Sequence, residues 1–419
     1  MSLLIKGITI ADASSEFNGK TCDLRVENES IVEIGSGLSA KKSETVFEAN
    51  GAVLSPGFFD LNCFFGEPGL ETKEDIKTGT AAAAAGGFTG VAIMPNTKPV
   101  IQSKSEVEYV INKTKGNLVD VHPIGAISQG LEGKELAEMF DMKQAGAVAF
   151  AEAGKAIADD GFMSRALQYA LGFDGLLFSH PENKSLAGKA HVNESATTIL
   201  LGMKGIPALA EEIQISRDIF LAQYHNAPIH ISNISTSGAV AIIKKAKKDG
   251  IKVTCDVAAH QLVFTEDLLN DFDSNYKVKP PLRSKADNKA LIAGLKDGTI
   301  DAISSQHRPH EIEFKNVEFE IASYGIITLQ TVLPLLLQAG LEASLIVDKL
   351  AISPRKLLKL QVPEIKVGAK ANFTVFNPNK TWEFNSETNQ SKSANSPLFN
   401  TTLKGKVELV YNNGQYNIY

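Results

Sequence analysis

The sequence predicts an α/β protein: a parallel (β/α)8 barrel carrying a small β-sandwich domain made from both ends of the chain. Three observations point there. Eight short apolar runs recur through the centre, helix-like stretches separate them, and both termini alternate apolar and polar residues over short β-rich segments. A chain of 419 residues has room for a barrel with an appendage, since domains run at about 150 residues each as a soft prior.

At the N-terminus, "LLIKGITIAD", "CDLRVENESIVEIG" and "TVFEANG" read as strands joined by turns. The other end repeats this pattern in "ANFTVFNP", "TWEFNS" and "LKGKVELVYNNGQYNIY", with an Asn-Asn-Gly turn. Residues 1–52 and 365–419 are therefore assigned to the β-rich domain and residues 53–364 to the barrel. The barrel strands are "VLSPGFFDLN", "TGVAIMPN", "VDVHPIGAI", "GAVAFAEA", "GLLFSH", "PIHISNIS", "KVTCDVAA" and "DAISSQH". Between them lie helical stretches such as "EDIKTGTAAAAAGG", "SKSEVEYVINKTK" and "EEIQISRDIFLAQYHN", several closed by Gly as a helix C-terminus would be. The polar stretch "NPNKTWEFNSETNQSKSANSPLFN" is expected to lie extended over the barrel or between domains.

Composition narrows the function. A net charge of −6 with 21% charged residues argues against nucleic-acid binding, which calls for a basic surplus. No apolar run reaches the roughly 18–20 residues of a membrane span, and "MSLLIKGITIAD" lacks the charged region and cleavage site of a leader. Cys22, Cys63 and Cys255 are odd in number and widely spaced, which fits a reducing cytoplasm without disulfides. Cys63 points away from its neighbours on a strand and is expected to be a packed thiol.

In a barrel, chemistry sits at the carboxyl ends of the strands. Polar residues gather there: Asn62, Asn96, Glu152, His180, Asn233, His260, Gln306 and His307. His122, His191, His225 and His230 are expected to be core or surface residues, and Trp382 to pack within the β-domain.

The segments "SPGFFDLN…GEPG", "GGFTGVAIMPNTKPV", "GIPALAEEIQISRD", "HISNISTSGAV", "KPPLR", "HRPH" and "SANSP" fall in an order that resembles the dihydroorotases of the amidohydrolase superfamily, the larger type with a terminal β-domain. The resemblance spans nearly the whole chain. It implies hydrolysis of the cyclic amide of dihydroorotate, or its closure, in de novo pyrimidine biosynthesis, with one or two zinc ions held by an H-x-H pair, a carboxylate or carboxylated lysine, two histidines and an aspartate. That aspartate also takes the proton of the attacking water.

Carried over position by position, the pattern breaks. The H-x-H pair is Asn62-Cys63-Phe64, the strand-4 position is Glu152, the strand-5 histidine is His180, the strand-6 histidine is Asn233, and the catalytic aspartate is Gln306. Asp60 remains, as support for the H-x-H position. An amide is a weak neutral donor, a phenyl ring cannot coordinate, and glutamine cannot act as a general base. The family's substrate-gripping arginine is Gly66 and its asparagine before Pro-Pro-Leu-Arg is Lys279, leaving Asn96, His307 and Lys279 as substrate-binding candidates.

The leading expectation is a non-catalytic dihydroorotase homologue, without zinc or other cofactor, serving as a structural partner of aspartate carbamoyltransferase, as the resemblance implies for metal-less members. A second reading is an active cyclic amidohydrolase using zinc in a rearranged site from Glu152, His180, His260, His307 and His310. A third is a sensor that binds a small carboxylated pyrimidine precursor without chemistry. Further copies of this chain, in a homo-oligomer, complete the expected partners.

Overall fold

Alternating apolar residues at the N-terminus bury one face and pair into strands. The computed structural model, which describes residues 2–419, forms there β1 (Ser2–Ile10), β2 (Thr21–Glu27), β3 (Ser30–Gly35), β4 (Thr45–Glu48) and β5 (Val53–Pro56). Leu3, Ile5, Ile8, Leu24, Val26 and Leu54 close over one core.

The barrel follows as β6 (Phe58–Cys63), β7 (Phe88–Ile93), a third strand broken into β8 (Asp120–Pro123) and β9 (Gly125–Ala126), then β10 (Phe150–Ala151) and β11 (Leu177–Ser179). An outer two-strand ladder, β12 (Val192–Asn193) and β13 (Gly205–Ile206), precedes β14 (Ile229–Ile231), β15 (Val253–Ala258) and β16 (Ala302–Ser304). The barrel ladders are parallel: β6 to β7 to β8, and β9 through β10, β11, β14 and β15 to β16. The two arcs join through the break after Pro123, where Ile124 N donates to Ile93 O and Gly125 N to Ala149 O. A parallel bridge between Cys63 and His307 closes the ring at the other seam. All eight apolar runs thus become barrel strands.

Local chemistry sets the helices outside: α1 (Ile76–Ala85), α2 (Lys104–Thr114), α3 (Met139–Ala145), α4 (Asp160–Leu171), α5 (Lys184–Ala187), α6 (Ala196–Leu200), α7 (Ala208–His225), α8 (Ser237–Lys248) and α9 (Lys285–Lys296). Ser103 and Glu106 form a capping box at the start of α2, as do Ser284 and Asp287 for α9, satisfying backbone N–H groups that the helix leaves open. At the end of α3, Gly146 takes the left-handed conformation with φ +110° and stops the helix.

The C-terminal strands β17 (Phe373–Phe384), β18 (Thr401–Asn412) and β19 (Gln415–Ile418) complete the terminal sheet in the order β19-β18-β17-β5-β1-β2-β3, with β4 paired to β1. Val53–Pro56 pairs with β1 and β17, so the boundary drawn before residue 53 places one strand of the terminal sheet in the barrel. Residues 385–400 run across the barrel mouth: Lys392 N donates to Glu74 Oε1 at 3.0 Å and His310 N to Asn395 Oδ1 at 3.0 Å. Among the described residues no helix is long and apolar enough to cross a membrane. All three cysteines are buried free thiols, and Trp382 donates to Gly405 O inside the terminal sheet.

Candidate functional site at the barrel mouth

Alternation along β6 sends Asp60, Asn62 and Phe64 toward the same side of the strand. Asp60 is fully buried and ties β6 to the end of β16, accepting from Ser305 N at 2.7 Å and Ser305 Oγ at 2.6 Å. Burial pushes its carboxyl up to about 6, against the pull of those two bonds.

One turn of the strand further, Asn62 Nδ2 donates to Asn233 Oδ1 at 2.7 Å. Gln306 Nε2 donates to the same oxygen at 3.0 Å and to Lys279 O at 2.8 Å. Asn233 in turn donates from Nδ2 to Asp256 Oδ2 at 2.9 Å and to Ser304 Oγ at 2.7 Å. Its backbone N–H reaches Asp256 Oδ1 at 2.9 Å. Asn233 and Gln306 both sit in the left-handed backbone region, at φ +54° and +52°, where asparagine is among the better tolerated side chains. The two other amides thus converge on Asn233 Oδ1, with Asn233 held from beneath by Asp256 and Asn62 Oδ1 left without a partner.

Glu152 and His180 complete the ring but do not join that cluster. Both Glu152 oxygens are taken by Ser128, from N at 2.7 Å and from Oγ at 2.8 Å, and burial raises its carboxyl above the ordinary value. His180 is buried with Nε2 unpartnered, and burial pushes it down to about 4, so it is neutral at pH 7.

The residues proposed for substrate binding are scattered. Lys279 lines the mouth cavity, paired with Glu182 at 2.7 Å. His307 lies outside the lining: its Nδ1 accepts from Thr328 N at 3.1 Å, and its Nε2 faces Glu74 Oε2 at 3.4 Å. Asn96 also lies outside the lining, with a buried, unpartnered Oδ1. Gly66, where the family carries its arginine, has no room for any side chain: a Cβ there would fall 2.0 Å from Leu70 O and 2.8 Å from Glu74 O. The loop after β6 has been rebuilt around a glycine.

A zinc ion needs about three or four N, O or S donors at about 2 Å. Here Asn233 Oδ1 already accepts two N–H bonds, Phe64 offers no donor, and Glu152 is spent on Ser128. Among the described residues no group of three or more His, Cys, Asp or Glu side chains is placed to hold a metal. That bears equally on the rearranged set of Glu152, His180, His260, His307 and His310. His260 is buried with both ring nitrogens unpartnered, and His310 Nε2 lies 3.0 Å from Tyr324 O. The residues at this mouth do not fit the family's metal.

The remaining cavity has a volume of about 20 Å³, room for about one water molecule. Its rim includes a residue the sequence did not single out. Arg308 carries its guanidinium 4.8 Å from the centre of the Phe64 ring. Asp256 was likewise missed, although it sits in the quoted strand "KVTCDVAA"; nothing in alternation alone marks it as the anchor of Asn233.

A family model described as dihydro-orotase-like matches residues 51–239. A protein of Geotalea daltonii named dihydroorotase is 43% identical over 410 residues, covering 97% of this chain and 96% of that protein. One from Acetivibrio thermocellus with the same name is 42% identical over 418 residues and 98% of each chain. Among solved structures, the L-hydantoinase (dihydropyrimidinase) of Arthrobacter aurescens superposes with a TM-score of 0.85 at 21% identity, covering 100% of this chain and 97% of that one. At that identity the likeness speaks to the barrel and its β-domain alone.

Proposed function

The chain belongs to the dihydroorotase family, and from that premise we propose that it is a member without metal-dependent hydrolysis that serves as a structural partner of aspartate carbamoyltransferase. The observation that carries the reading is the amide cluster of Asn62, Asn233 and Gln306, in which Asn233 Oδ1 accepts from both other amides where the family pattern sets metal ligands. Hydrolysis of a cyclic amide at neutral pH needs an activated water and a base to take its proton. Gln306 supplies no base, and His180 has no second imidazole or free carboxylate placed with it to hold an ion.

A role as partner calls for a surface that remains apolar in the free chain, and α7 has one. Leu209, Ile213, Phe220 and Tyr224 project outward along it, with Phe220 70% and Tyr224 82% exposed. Ile199 and Leu200 of α6, which precedes it in the chain, are 68% and 87% exposed. An outward helix face with so few charges is unusual for a solvated helix and suits burial against a partner.

The test uses the full chain. After dialysis against zinc, it is assayed for metal content by elemental analysis and for dihydroorotate turnover, and it is sedimented with aspartate carbamoyltransferase from the same cell. The expected result is far less than one equivalent of zinc, no turnover above background and co-sedimentation. Turnover with about one equivalent of zinc would overturn the non-catalytic reading; separate sedimentation of the two proteins would overturn the partnership.

A further inference from the structure

Along one rim of the barrel mouth the chain turns its lysines inward and its acids and apolar side chains outward. Two stretches build this rim, residues 267–277 and 311–325. Phe319 of the second packs with Leu269 of the first and with Val192 in a small buried core. Lys315 Nζ donates to Ser274 O at 2.6 Å, Ser323 O at 2.9 Å and Gly325 O at 3.0 Å. Lys277 Nζ donates to Phe319 O and Glu320 O, both at 2.8 Å. Each buried lysine thus laces one stretch to the other and is spent on backbone carbonyls.

The outer side is the reverse. Phe272, Ile312, Phe314, Val317 and Ile321 are exposed, Ile312 at 76% and Ile321 at 70%. Phe272, Ile312 and Val317 share a groove of about 780 Å³ with Asp273, Glu311 and Glu313. Among the described residues, none of Asp271, Asp273, Glu311, Glu313, Glu318 and Glu320 forms an ion pair, while Asp267 is paired with Lys285 at 2.9 Å. The cations nearest the groove are engaged: Lys73 Nζ lies 5.5 Å from the centre of the Phe314 ring, and Lys392 is paired with Asp75 at 3.2 Å. Single exposed apolar residues are ordinary on a protein surface, but here several converge on one groove rimmed by like charges.

We propose that this rim docks a basic, apolar-studded segment of a second protein, whose apolar side chains fill the groove between Phe272, Ile312 and Val317 and whose lysines or arginines meet the six unpaired carboxylates. Complementary charge of this kind steers association and sets register, and the buried apolar anchors hold the complex. The same carboxylates repel a nucleic acid or an anionic membrane surface. A second copy of this chain does not offer the complement. Its own run of lysines, Lys244, Lys245, Lys247 and Lys248 on α8, lies in a stretch with no exposed large apolar residue between Tyr224 and Leu268. The inference goes beyond the α7 surface and does not rest on aspartate carbamoyltransferase, since it needs only the groove and its charges.

The test is fluorescence anisotropy of the full chain with three labelled peptides of about four helical turns each. One is an amphipathic helix of Leu and Lys, the second has Ser for every Leu, and the third has Glu for every Lys. The expected result is saturable binding of the Leu-Lys peptide at one per chain, weakened between about 0.05 and 0.3 M salt, and binding at least about tenfold weaker for the other two. Ile312→Ser with Ile321→Ser, and separately Glu313→Lys with Glu318→Lys, should each weaken it by at least about tenfold. These side chains face outward, so the fold should tolerate both pairs. Phe220→Ser with Tyr224→Ser on α7 should leave binding within about twofold, which places the contact on the rim. No saturable binding, equal binding of the Ser or Glu peptide, or binding that survives both rim pairs and falls in the α7 pair would overturn the proposal. If a rim pair fails to fold, Ile312→Ser alone and the three-peptide comparison decide.

Discussion

Asn62 and Asn233, brought from the ends of β6 and β14, meet side chain to side chain at 2.7 Å across the barrel mouth. In the family pattern both positions hold histidines. Two histidines aimed at one point need a cation between them, whereas an amide both donates and accepts, so two of them close the gap directly. Asp256 and Ser304 take the remaining N–H of Asn233, and Gln306 adds a second donor to its oxygen. Asn233 is thereby fully bonded, while Asn62 Oδ1, His180 Nε2 and Ser232 Oγ at the same mouth keep no protein partner.

Removing the hub should therefore be costly. Asn233→Gly keeps the left-handed backbone without strain and deletes the side chain, leaving Asn62 Nδ2 and one oxygen of Asp256 without their partner. Urea unfolding should show a loss of about 2–3 kcal/mol. A loss below about 0.5 kcal/mol would mean that water replaces the amide freely.

Gly66 gives a sharper steric prediction. Gly66→Ala drives a Cβ into Leu70 O and should destabilise by more than about 3 kcal/mol, or move the loop between β6 and α1. Gly66→Arg should do no better, and it should not confer binding of dihydroorotate. Normal unfolding of Gly66→Ala would show that the loop has room to spare.

Much of this was legible from residues alone. The eight strands could be read because each apolar run is short and followed by a helical pattern, and the ends of those strands had to share one mouth. Asn62, Glu152, His180, Asn233 and Gln306 do line it. What spacing could not reveal is where a side chain turns after its strand ends. His307, one residue past Gln306, points away from the cavity toward Glu74, while Arg308 turns back into it. Nor does any local pattern show that the chain folds over Gly66 too tightly for a side chain.

Acid should weaken the fold from about pH 6.5 downward. Burial pushes His180 down to about 4, and His260 and His310 to about 3, so the unfolded chain takes up protons on them near the ordinary value of 6.5 and the folded chain does not. Asp60 and Asp218 act in the opposite sense. Burial raises each to about 6, so between about 3.8 and 6 the folded state binds their protons more readily and acidification favours it. Among the groups shifted furthest, three histidines against two aspartates leave about one extra proton on the unfolded chain near pH 5; burial also lowers His122 and His191 and raises Glu152 and Glu211, two added on each side. Stability should fall there by about 1.4 kcal/mol per pH unit. His260→Leu removes one histidine of the three, together with two unpartnered buried nitrogens, and should bring that slope close to zero. Urea titrations at pH 4.5, 5 and 5.5 check both numbers, and an unchanged slope in the variant would refute the assignment.

The surface proposed to meet a partner can be separated from the fold because its residues face outward. Phe220 and Tyr224 lie four residues apart on one face of α7, as do Leu209 and Ile213. Phe220→Glu with Tyr224→Glu places two charges on that face and touches none of the buried positions Ile215, Ile219 or Ala222. Stability should stay within about 0.5 kcal/mol of the wild type, as for other surface changes. Association should respond very differently, since desolvating a carboxylate in an apolar interface costs several kcal/mol and two of them should abolish measurable binding. Sedimentation of the double variant with aspartate carbamoyltransferase, beside an unfolding curve, gives both readings. Undiminished association would move the contact to another face of the barrel, while lost association with an intact fold would fix it on α7.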